Sequence, residues 1–412
     1  MPDRPTPGAT ATDETTGPLK GLRVIDIATI IAAPMAGSLL ADFGADVTKL
    51  ELPGAGDGLR GFPPFKDGKP LWWKVTNRGK RHGTLDLRQP EGAELFKRML
   101  AETDVLIENF RPGTLDRWGL DLDTLWAANP RLIILRVSAF GQDGPYAGQP
   151  GFARIFEAMG GLTQITGDPD RAPMHTGYPL ADSIGGVFGA FAICAALVRV
   201  FRDRPDEGEE IDLSLTEAVL RMIESLAIEY DQLGAIRARS GNRNQYSAPS
   251  DVYMTADKRY VSLAGSTAAT FRNNAHAIGR PELVDDPRFA SNSLRVQNAG
   301  ELDRIFGAFI ASHTLDEVLA AFRKANGTLA PVYSVDQIFA DPQMQARGAI
   351  VAVPDDDFGA VRMQNVVPRM RNAPGGVRWS AGALGKDNDF IYRNWLGLSE
   401  DEIDTLREKN CL

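Results

Sequence analysis

The segment 22–50, LRVIDIATIIAAPMAGSLLADFGADVTKL, decides the fold of this chain. Its first part, 22–28, is an apolar, β-branched run typical of a buried parallel strand. After a short loop, Pro34 can occupy the first turn of a helix over 35–43, and 47–50 forms the next strand. Strand, loop, helix and strand in this order predict a parallel sheet covered by helices.

The same alternation continues along the chain. Strands are predicted over 84–87, 105–109 and 132–137, and helical segments over 91–101 and 114–118. The apolar run 184–200 contains three glycines. It is shorter than the roughly 20 residues that a membrane span needs, so it is predicted to be a buried helix.

Shorter patterns organise the second half of the chain. Residues 252–263 predict two strands joined by a turn. Helical periodicity then returns over 270–278, 300–312 and 315–325. Two β-like runs, at 350–353 and 361–363, precede a terminal helix near 400–408.

The length of 412 residues indicates more than one domain, because single hydrophobic cores stop growing at about 250 to 300 residues. We predict a flexible tail over 1–19 and a large α/β domain over 20–215. A connecting helix over 216–235 leads into a small α+β domain over 236–330. Residues 331–412 are expected to return and complete the large domain.

Charge and cysteine content exclude several classes of protein. The formal net charge is −9, whereas nucleic acid and anionic membranes favour basic surfaces. Cys194 and Cys411 are too few for a disulfide framework or a zinc site, and the N-terminal residues lack the apolar segment of a signal peptide. We therefore expect a cytoplasmic protein that binds neither nucleic acid nor membrane.

Common cofactor and hydrolase motifs are absent from the sequence. The loop 28–37 has no G-x-G-x-x-G, and no G-x-x-x-x-G-K-[ST] occurs, so neither NAD nor a P-loop nucleotide is expected. There is no G-x-S-x-G or H-E-x-x-H, and the four histidines lack ligand spacing. We expect no bound metal and no permanently bound cofactor.

One carboxylate, Asp182, stands just before the apolar helix, within TGYPLADSIGG (176–186). Asp182 or Ser183 is expected to cap this helix, because free N–H groups and the helix dipole stabilise an anion there. Gly185 and Gly186 would leave space beside the carboxylate, which could then act as a covalent nucleophile. From the residues alone, a structural cap and a nucleophile both remain open.

Two other titratable residues, Glu157 and His175, lie near Asp182 in the sequence. Either could assist proton transfer. A hydrogen-bonded structural role is the commoner arrangement for such residues, and we expect it for both.

Basic residues accumulate around the predicted strands. They are Arg78, Lys80, Arg81, Arg88, Arg111 and Arg117. Most Lys and Arg side chains are simply solvated, yet an acidic protein that binds an anion needs a local basic site. A phosphate site and ordinary surface remain equal alternatives for this group.

Several stretches of the chain resemble the family III CoA-transferases, which include formyl-CoA transferase. They are GLRVIDIATIIAAPMAGSLLADFGADVTKLE (21–51), NRGKRHGTLDLRQPEG (77–92), DVLIENFRPGTLDRWGL (104–120), SAFGQDGPYAGQPGF (138–152) and ADSIGG (181–186). The resemblance implies a Rossmann-like α/β large domain with a parallel sheet, a smaller α+β domain, and an interlocked homodimer.

The resemblance also implies site residues. Asp182 matches the catalytic aspartate of the family. The residues that match CoA-binding positions are Ile30, Ile31, Ala32, Leu85, Arg88, Asn109, Phe110 and Arg117. Arg88 and Arg117 are thereby implied for the phosphates of CoA, and the apolar loop for its adenine or pantetheine.

The chain departs from the family at three other positions. Leu52 stands where formyl-CoA transferase has an arginine, and Phe152 stands where it has a tyrosine beside the catalytic carboxylate, so formate and oxalate are not expected as substrates. Racemase relatives have a His-Asp pair where this chain has Phe152 and Ala153. Without that acid and base, transfer is favoured over racemisation.

The expected activity is transfer of CoA from an acyl-CoA to a free organic acid. The resemblance implies an aspartyl-CoA thioester on Asp182 as the intermediate, with succinyl-CoA as the expected donor and a small dicarboxylic acid as the acceptor. Two alternatives remain: an acyl-CoA racemase or isomerase of the same fold, and a non-catalytic CoA-binding protein.

Overall fold

The computed structural model describes residues 16–203 and 205–412. Within them the chain forms two compact units. The first comprises the described residues up to Leu162 together with Thr176–Ser225 and Gln345–Leu412, and the second comprises Thr163–His175 and Leu226–Met344. Most of the predicted tail, 1–19, lies outside the described residues. At its end, the Leu19 amide donates a hydrogen bond to the Phe43 carbonyl.

The first part of the chain alternates strands and helices. Its elements are β1 (Arg23–Asp26), α1 (Ala32–Asp42), β2 (Asp46–Glu51), β3 (Phe65–Lys66), β4 (Lys69–Pro70), α2 (Leu71–Thr76), β5 (Arg81–Thr84), α3 (Pro90–Leu100), β6 (Val105–Glu108), α4 (Thr114–Arg117), α5 (Leu122–Ala128) and β7 (Ile133–Ser138). Then follow α6 (Ala153–Met159), α7 (Leu162–Ile165), α8 (Leu180–Asp203), β8 (Glu209–Ser214), α9 (Leu215–Met222) and α10 (Ser225–Leu233).

The rest of the chain contains shorter elements. They are β9 (Ser250–Met254), β10 (Tyr260–Ala264), α11 (Ala268–Ala277), α12 (Asn292–Gln297), α13 (Ala299–Ala311), α14 (Leu315–Lys324), β11 (Leu329–Pro331), α15 (Val335–Ala340), α16 (Pro342–Ala346), β12 (Ile350–Asp355), β13 (Gly359–Gln364) and α17 (Glu400–Glu408). A π-helical turn, Phe390–Trp395, precedes α17.

The parallel sheet predicted from the sequence is confirmed. In the described residues its strands lie in the order β5-β2-β1-β6-β7-β8, and each neighbouring pair is parallel. Counting only these strands along the chain, the order is 3-2-1-4-5-6, as in doubly wound dinucleotide-binding sheets. In such sheets ligands bind beyond the carboxyl ends of the strands, where the order reverses. Here that point lies between β1 and β6.

One strand boundary was predicted wrongly. The sequence indicates a strand over 84–87, whereas β5 covers Arg81–Thr84 and pairs with β2 from Thr48 to Glu51. The residues of this buried strand are polar, and one of them, Arg81, forms an ion pair of 3.3 Å with Asp46 on β2. The alternating leucines that suggested a strand instead follow its carboxyl end and join the core under α3.

Helix α8 packs closely against its neighbours α1 and α9 in the first unit. A Cβ on Gly185 would lie 2.1 Å from Leu215 Cδ2, and one on Gly186 would lie 2.8 Å from Met35 Cβ. These glycines therefore permit helix packing. The expected open space beside Asp182 is occupied by neighbouring helices at these two positions, so that part of the prediction is wrong.

The helix predicted over 184–200 is longer and less buried than expected. By length and composition α8 could cross a membrane, but the core helices of globular proteins have the same composition. One face of α8 is buried in the chain. The opposite face exposes Val187, Phe191, Val198 and Phe201, which contradicts the prediction of a buried helix.

The second unit contains the predicted hairpin, in which β9 and β10 pair antiparallel. Strand β11 pairs with β10 on its other edge, and α11, α13 and α14 supply the core.

The segment 216–235, predicted as one helix, is divided into α9 and α10. The predicted strands near 350 and 361 form the β12–β13 pair, and the terminal helix is confirmed.

Candidate active site

Two loops meet at the point where the strand order reverses. The Thr29 amide donates to Asn109 Oδ1 at 2.8 Å, and Asn109 Nδ2 donates to the Thr29 carbonyl at 2.8 Å. We call this pair the loop clamp. Because both polar groups of the Asn109 side chain bind main-chain atoms, this predicted CoA contact also fixes the loop after β1.

The loop after β1 carries an unusual backbone conformation at Ile30. Its φ is 70°, in the left-handed region that costs a β-branched residue about 1–3 kcal/mol. The Ile30 amide donates to Asp57 Oδ1 at 3.0 Å, and Asp57 lies 3.2 Å from Lys49 Nζ. A buried ion pair thus holds the strained loop in place.

The loop after β6 is anchored in a similar way. Glu108, buried at the end of β6, accepts the Phe110 amide at 2.6 Å and the Arg136 guanidinium at 2.9 Å. Burial raises the pKa of Glu108 to about 7, although Arg136 opposes this shift. Phe110, a predicted CoA contact, is therefore placed by its own strand end.

A cavity of about 380 Å³ opens beyond the carboxyl ends of β1, β6 and β7. We call it the Asp182 cavity. It brings together Asp182 with the predicted CoA-binding residues Ile30, Ile31, Ala32, Asn109 and Phe110. Further lining residues include Arg111, Ser138, Gln149, Phe152 and Leu215. In the described part of the chain, Asp182 and Arg111 are the charged residues that line it.

Asp182 lies in the first turn of α8 and is half-buried. Its carboxylate forms no hydrogen bond or ion pair with any residue that the structure describes. Burial, and in addition the charge of Glu157, raise the pKa of Asp182 to about 7. A carboxyl group with these properties suits acid, base or nucleophilic chemistry near neutral pH.

The prediction that Asp182 or Ser183 caps α8 is wrong. The helix begins at Leu180, before either residue. Glu157 Oε1 accepts the amides of Leu180 at 2.9 Å and Ala181 at 3.3 Å. A side chain from α6 therefore caps this helix, and Asp182 is left available.

Glu157 is a residue near Asp182 for which the sequence predicted only a structural role. Its expected structural role is present, but the residue also lies close to Asp182. A signal was available, because Glu157 shares the buried face of α6 with Ala153 and Phe156. An acidic residue on an apolar helix face is rare unless it has partners.

A second cavity, of about 260 Å³, adjoins the first, and Thr29 and Phe110 line both. We call it the Leu85 cavity. Its apolar lining consists of Ile27, Ala28, Leu50, Leu52, Leu85, Leu87, Phe110 and Trp118. The Phe110 and Trp118 rings meet edge to face with centroids 5.0 Å apart.

The charged residues of the Leu85 cavity are all paired. Arg88 binds Asp86 through two hydrogen bonds of 2.8 Å. Lys49 lies against Asp57. Burial disfavours ionisation of Glu51, but two hydrogen bonds of 2.7 Å from the Arg60 guanidinium help to lower its pKa to about 2. The cavity is therefore close to electrically balanced.

The arginines considered for a phosphate site lie in different places. Arg88 lines the Leu85 cavity and Arg111 lines the Asp182 cavity. Arg117 lines neither, and its Nη2 donates to Thr114 Oγ1 at 2.9 Å.

Three other basic residues do not form an anion site. Arg78 binds buried Asp42, and Lys80 binds buried Asp26 at 2.7 Å. Arg81 begins β5 and lies 3.3 Å from Asp46, and none of the three residues lines the Asp182 cavity or the Leu85 cavity. Each of the three therefore pairs with a carboxylate of the chain itself.

Among the described residues there is no group of three or more His, Cys, Asp or Glu side chains placed to hold a metal ion.

Comparison with known proteins agrees with this geometry. The model of CoA-transferase family III matches residues 19–388. The chain is 42% identical over 396 residues to a succinyl-CoA–D-citramalate CoA-transferase of Chloroflexus aurantiacus, covering 96% of this chain and 98% of that protein. It is 38% identical over 347 residues to a succinate–glutarate CoA-transferase of Agrobacterium fabrum, covering 82% and 86%.

A solved structure has the same architecture. A CAIB/BAIF family protein from Brucella suis superposes with a TM-score of 0.80 at 34% identity, covering 92% of this chain and 99% of that one. The family implied by the sequence motifs is thereby confirmed. The chain belongs to CoA-transferase family III and is a CoA-transferase.

Proposed function

We propose that this protein moves CoA from succinyl-CoA to a small dicarboxylic acid through a thioester on Asp182. The observation that carries the proposal is the Asp182 carboxylate, half-buried in a cavity and without a partner among the described residues. The relatives named above act on succinyl-CoA, D-citramalate, succinate and glutarate. All the free acids in that group carry two carboxylates.

The reaction begins when an Asp182 oxygen attacks the thioester carbonyl of succinyl-CoA. The carbon–sulfur bond breaks, CoA leaves as a thiolate, and a mixed anhydride of Asp182 and succinate remains. The thiolate then attacks the Asp182 carbonyl of this anhydride. Succinate leaves with the bridging oxygen, and Asp182 carries CoA as a thioester.

The acceptor acid reverses these steps. Its carboxylate attacks the aspartyl thioester and releases CoA thiolate, which attacks the acceptor carbonyl of the new anhydride. The acceptor leaves as its CoA thioester, and the Asp182 carboxylate is restored. Covalent catalysis of this kind divides one difficult transfer into steps of similar energy.

The charge pattern of the Asp182 cavity supports a dicarboxylate. One carboxylate of the acceptor must react at Asp182, so its second carboxylate needs a cation elsewhere in the cavity. Arg111 supplies one, and its guanidinium has no hydrogen-bond or ion-pair partner in the described residues. An arginine can bind a carboxylate through two parallel hydrogen bonds.

The test is to look for the intermediate directly. The protein is incubated with succinyl-CoA, quenched in acid, digested and analysed by mass spectrometry. We expect CoA attached to the peptide that contains Asp182, and hydroxylamine should convert this adduct to the aspartyl hydroxamate. CoA on another residue, or α-proton exchange without transfer of CoA, would contradict the proposal.

We also propose that the exposed face of α8 contacts a second copy of the chain. Phe191 is 68% exposed and Val198 is 60% exposed, and exposed apolar patches of this kind mark protein interfaces. Light scattering after size-exclusion chromatography should give the mass of a dimer, and Phe191→Asp should lower it. A monomer in the unmodified protein would refute this.

The reducing interior of the cell remains the proposed location. Cys194 and Cys411 are both free thiols, and secreted proteins tend to use cysteine in disulfides. Fractionation of cells with an antibody against the protein would test this, and recovery outside the cytoplasm would refute it.

A further inference from the structure

Glu157 approaches the start of α8 from a different helix. It lies on the buried face of α6 and is 1% exposed. Its Oε1 accepts amides from the two residues that precede Asp182, Leu180 and Ala181. Two acidic side chains therefore share one end of one helix, the first as its cap and the second facing the cavity.

We propose that Glu157 is the positioning residue of Asp182, which fixes the first turn of α8 and favours the covalently occupied form of Asp182 over the free carboxylate. The inference rests on the nucleophilic role proposed above. Glu157 itself does not touch the reacting atoms.

The placement of Asp182 follows from the two hydrogen bonds. The first amides of a helix have no partner within the helix, and Glu157 satisfies two of them at the start of α8. Because Asp182 is the next residue, its Cα is fixed by a bond network anchored in α6. Reacting atoms need such fixed geometry for fast attack.

The covalent preference follows from charge. In the free enzyme two carboxylates lie close together in a partly dry site, which disfavours ionised Asp182. When CoA is transferred onto Asp182, the carboxylate becomes a neutral thioester and the negative charge leaves with the released acid. The repulsion from Glu157 is then removed, so the charge favours the thioester.

The pKa of Asp182 is consistent with this account. It is raised to about 7, first by burial and second by Glu157. The same two causes that favour the protonated carboxyl group favour any other uncharged form of it. Below about pH 7 the free carboxyl is largely protonated and cannot attack a thioester.

Other titratable groups near α8 have different positions or partners. Tyr178, in the loop before α8, faces Asp182, whose charge contributes to raising the pKa of the Tyr178 hydroxyl after burial. On the packed helices the charged residues are Asp42 of α1, bound to Arg78, exposed Arg154 of α6, and exposed Glu217 and Arg221 of α9.

The packed strands carry charged residues of their own. Arg136 of β7 binds Glu108 and Glu210, Glu209 of β8 binds Arg199, and Asp212 accepts the Gln142 amide. None of these contributes to the shifted pKa of Asp182, whereas Glu157 does.

The experiment compares Glu157→Gln with Glu157→Ala. Glutamine keeps a carbonyl oxygen for the two amides but removes the charge, and alanine removes both. For each full-length variant, kcat/KM is measured with succinyl-CoA from pH 5 to 9. The fraction of enzyme that carries CoA is measured by intact mass after an acid quench.

We expect Glu157→Gln to shift the rising limb of the profile of kcat/KM against pH to lower pH, by about one pH unit, because a nearby like charge has been removed. The fraction of enzyme carrying CoA should fall about tenfold, since one pKa unit corresponds to a factor of ten. Glu157→Ala should in addition lose activity at every pH, because the start of α8 is no longer fixed.

Two further variants complete the design. Glu157→Asp keeps the charge and should keep the limb near its original pH even if activity falls. Glu94→Gln removes an exposed glutamate on α3 that pairs with Lys97, and it should change neither measurement.

An unchanged limb and an unchanged CoA-bound fraction in a folded Glu157→Gln variant would overturn the inference. This result is distinguishable from failure of the proposed function. If Asp182→Asn still transfers CoA, the nucleophile is wrong. If Asp182→Asn is inactive and Glu157→Gln behaves like the unmodified protein, only the role of Glu157 is wrong.

Discussion

The Asp182 cavity and the Leu85 cavity lie on either side of one loop clamp but treat charge in opposite ways. In the Leu85 cavity, Arg88 is paired with Asp86 and Lys49 with Asp57. In the Asp182 cavity, Asp182 and Arg111 have no partner among the described residues. A cavity whose charges are paired binds a ligand mainly through its shape and its apolar surface. Charges without a partner are available for recognition and chemistry.

This difference also separates the expected functions of the two cavities. The apolar lining and edge-to-face rings of the Leu85 cavity suit a flat, largely uncharged group such as a nucleobase. The Asp182 cavity suits an acid and its thioester. We expect the loop clamp between them to align the two ends of one extended ligand, so substitutions should affect one cavity, the other, or both.

The largest expected effect belongs to Asp182. Asp182→Asn keeps the size of the side chain but removes the nucleophile, and transfer should fall by about 1000-fold or more. Binding of CoA, measured by calorimetry, should change little, because the Leu85 cavity is untouched. Turnover within tenfold of the unmodified protein would show that the unpaired carboxylate has no chemical role.

The second-largest effect is expected for the loop clamp, because Thr29 lines both cavities. Asn109→Ala removes both hydrogen bonds to Thr29, which should free the strained loop at Ile30 and lower kcat/KM by about 30-fold, since small misplacements slow reactions strongly. Asn109→Asp is the matched control, because it keeps the acceptor for the Thr29 amide. If both variants were fully active, the clamp would not organise the site.

The sheet and its helices could be predicted from the sequence because apolar periodicity records burial. The run 22–28 shows this for β1, and the helix over 91–101 is likewise confirmed as α3. The strand at 81–84 could not be found in this way, since its residues are polar and are buried by contacts with distant parts of the chain, such as the pair of Arg81 with Asp46. Pairing between distant residues leaves no local pattern.

The sequence predicted only part of the site, because the rest also depends on contacts between distant residues. Family motifs identified Asp182, and seven of the eight residues they implied for CoA binding line one of the two cavities. They did not identify Glu157 as the cap of α8, because this contact joins residues more than one helix apart. Nor could they show that Arg88 is paired and Arg111 unpaired, which depends on the partners that folding brings together.

A smaller effect is expected at Arg111, and it should depend on the acceptor. Arg111→Gln removes the cation proposed for the second carboxylate. KM for a dicarboxylic acceptor should rise about tenfold, consistent with losing a hydrogen bond to a charged group. KM for a monocarboxylic acid of equal length should stay constant. An equal rise for both acids would assign Arg111 to CoA instead.

The smallest effect on CoA binding is expected at Arg88, and a substitution of its partner Asp86 should change CoA binding in the opposite direction. The side chain is half exposed and already bound to Asp86, so Arg88→Ala should weaken CoA binding by only about threefold, the value of an exposed ion contact. Asp86→Asn should instead release Arg88 and strengthen CoA binding by about threefold in low salt. Calorimetry at two salt concentrations measures both. If Asp86→Asn weakened binding as much as Arg88→Ala did, the pair would act as one unit on CoA, and the paired charges of the Leu85 cavity would be part of recognition.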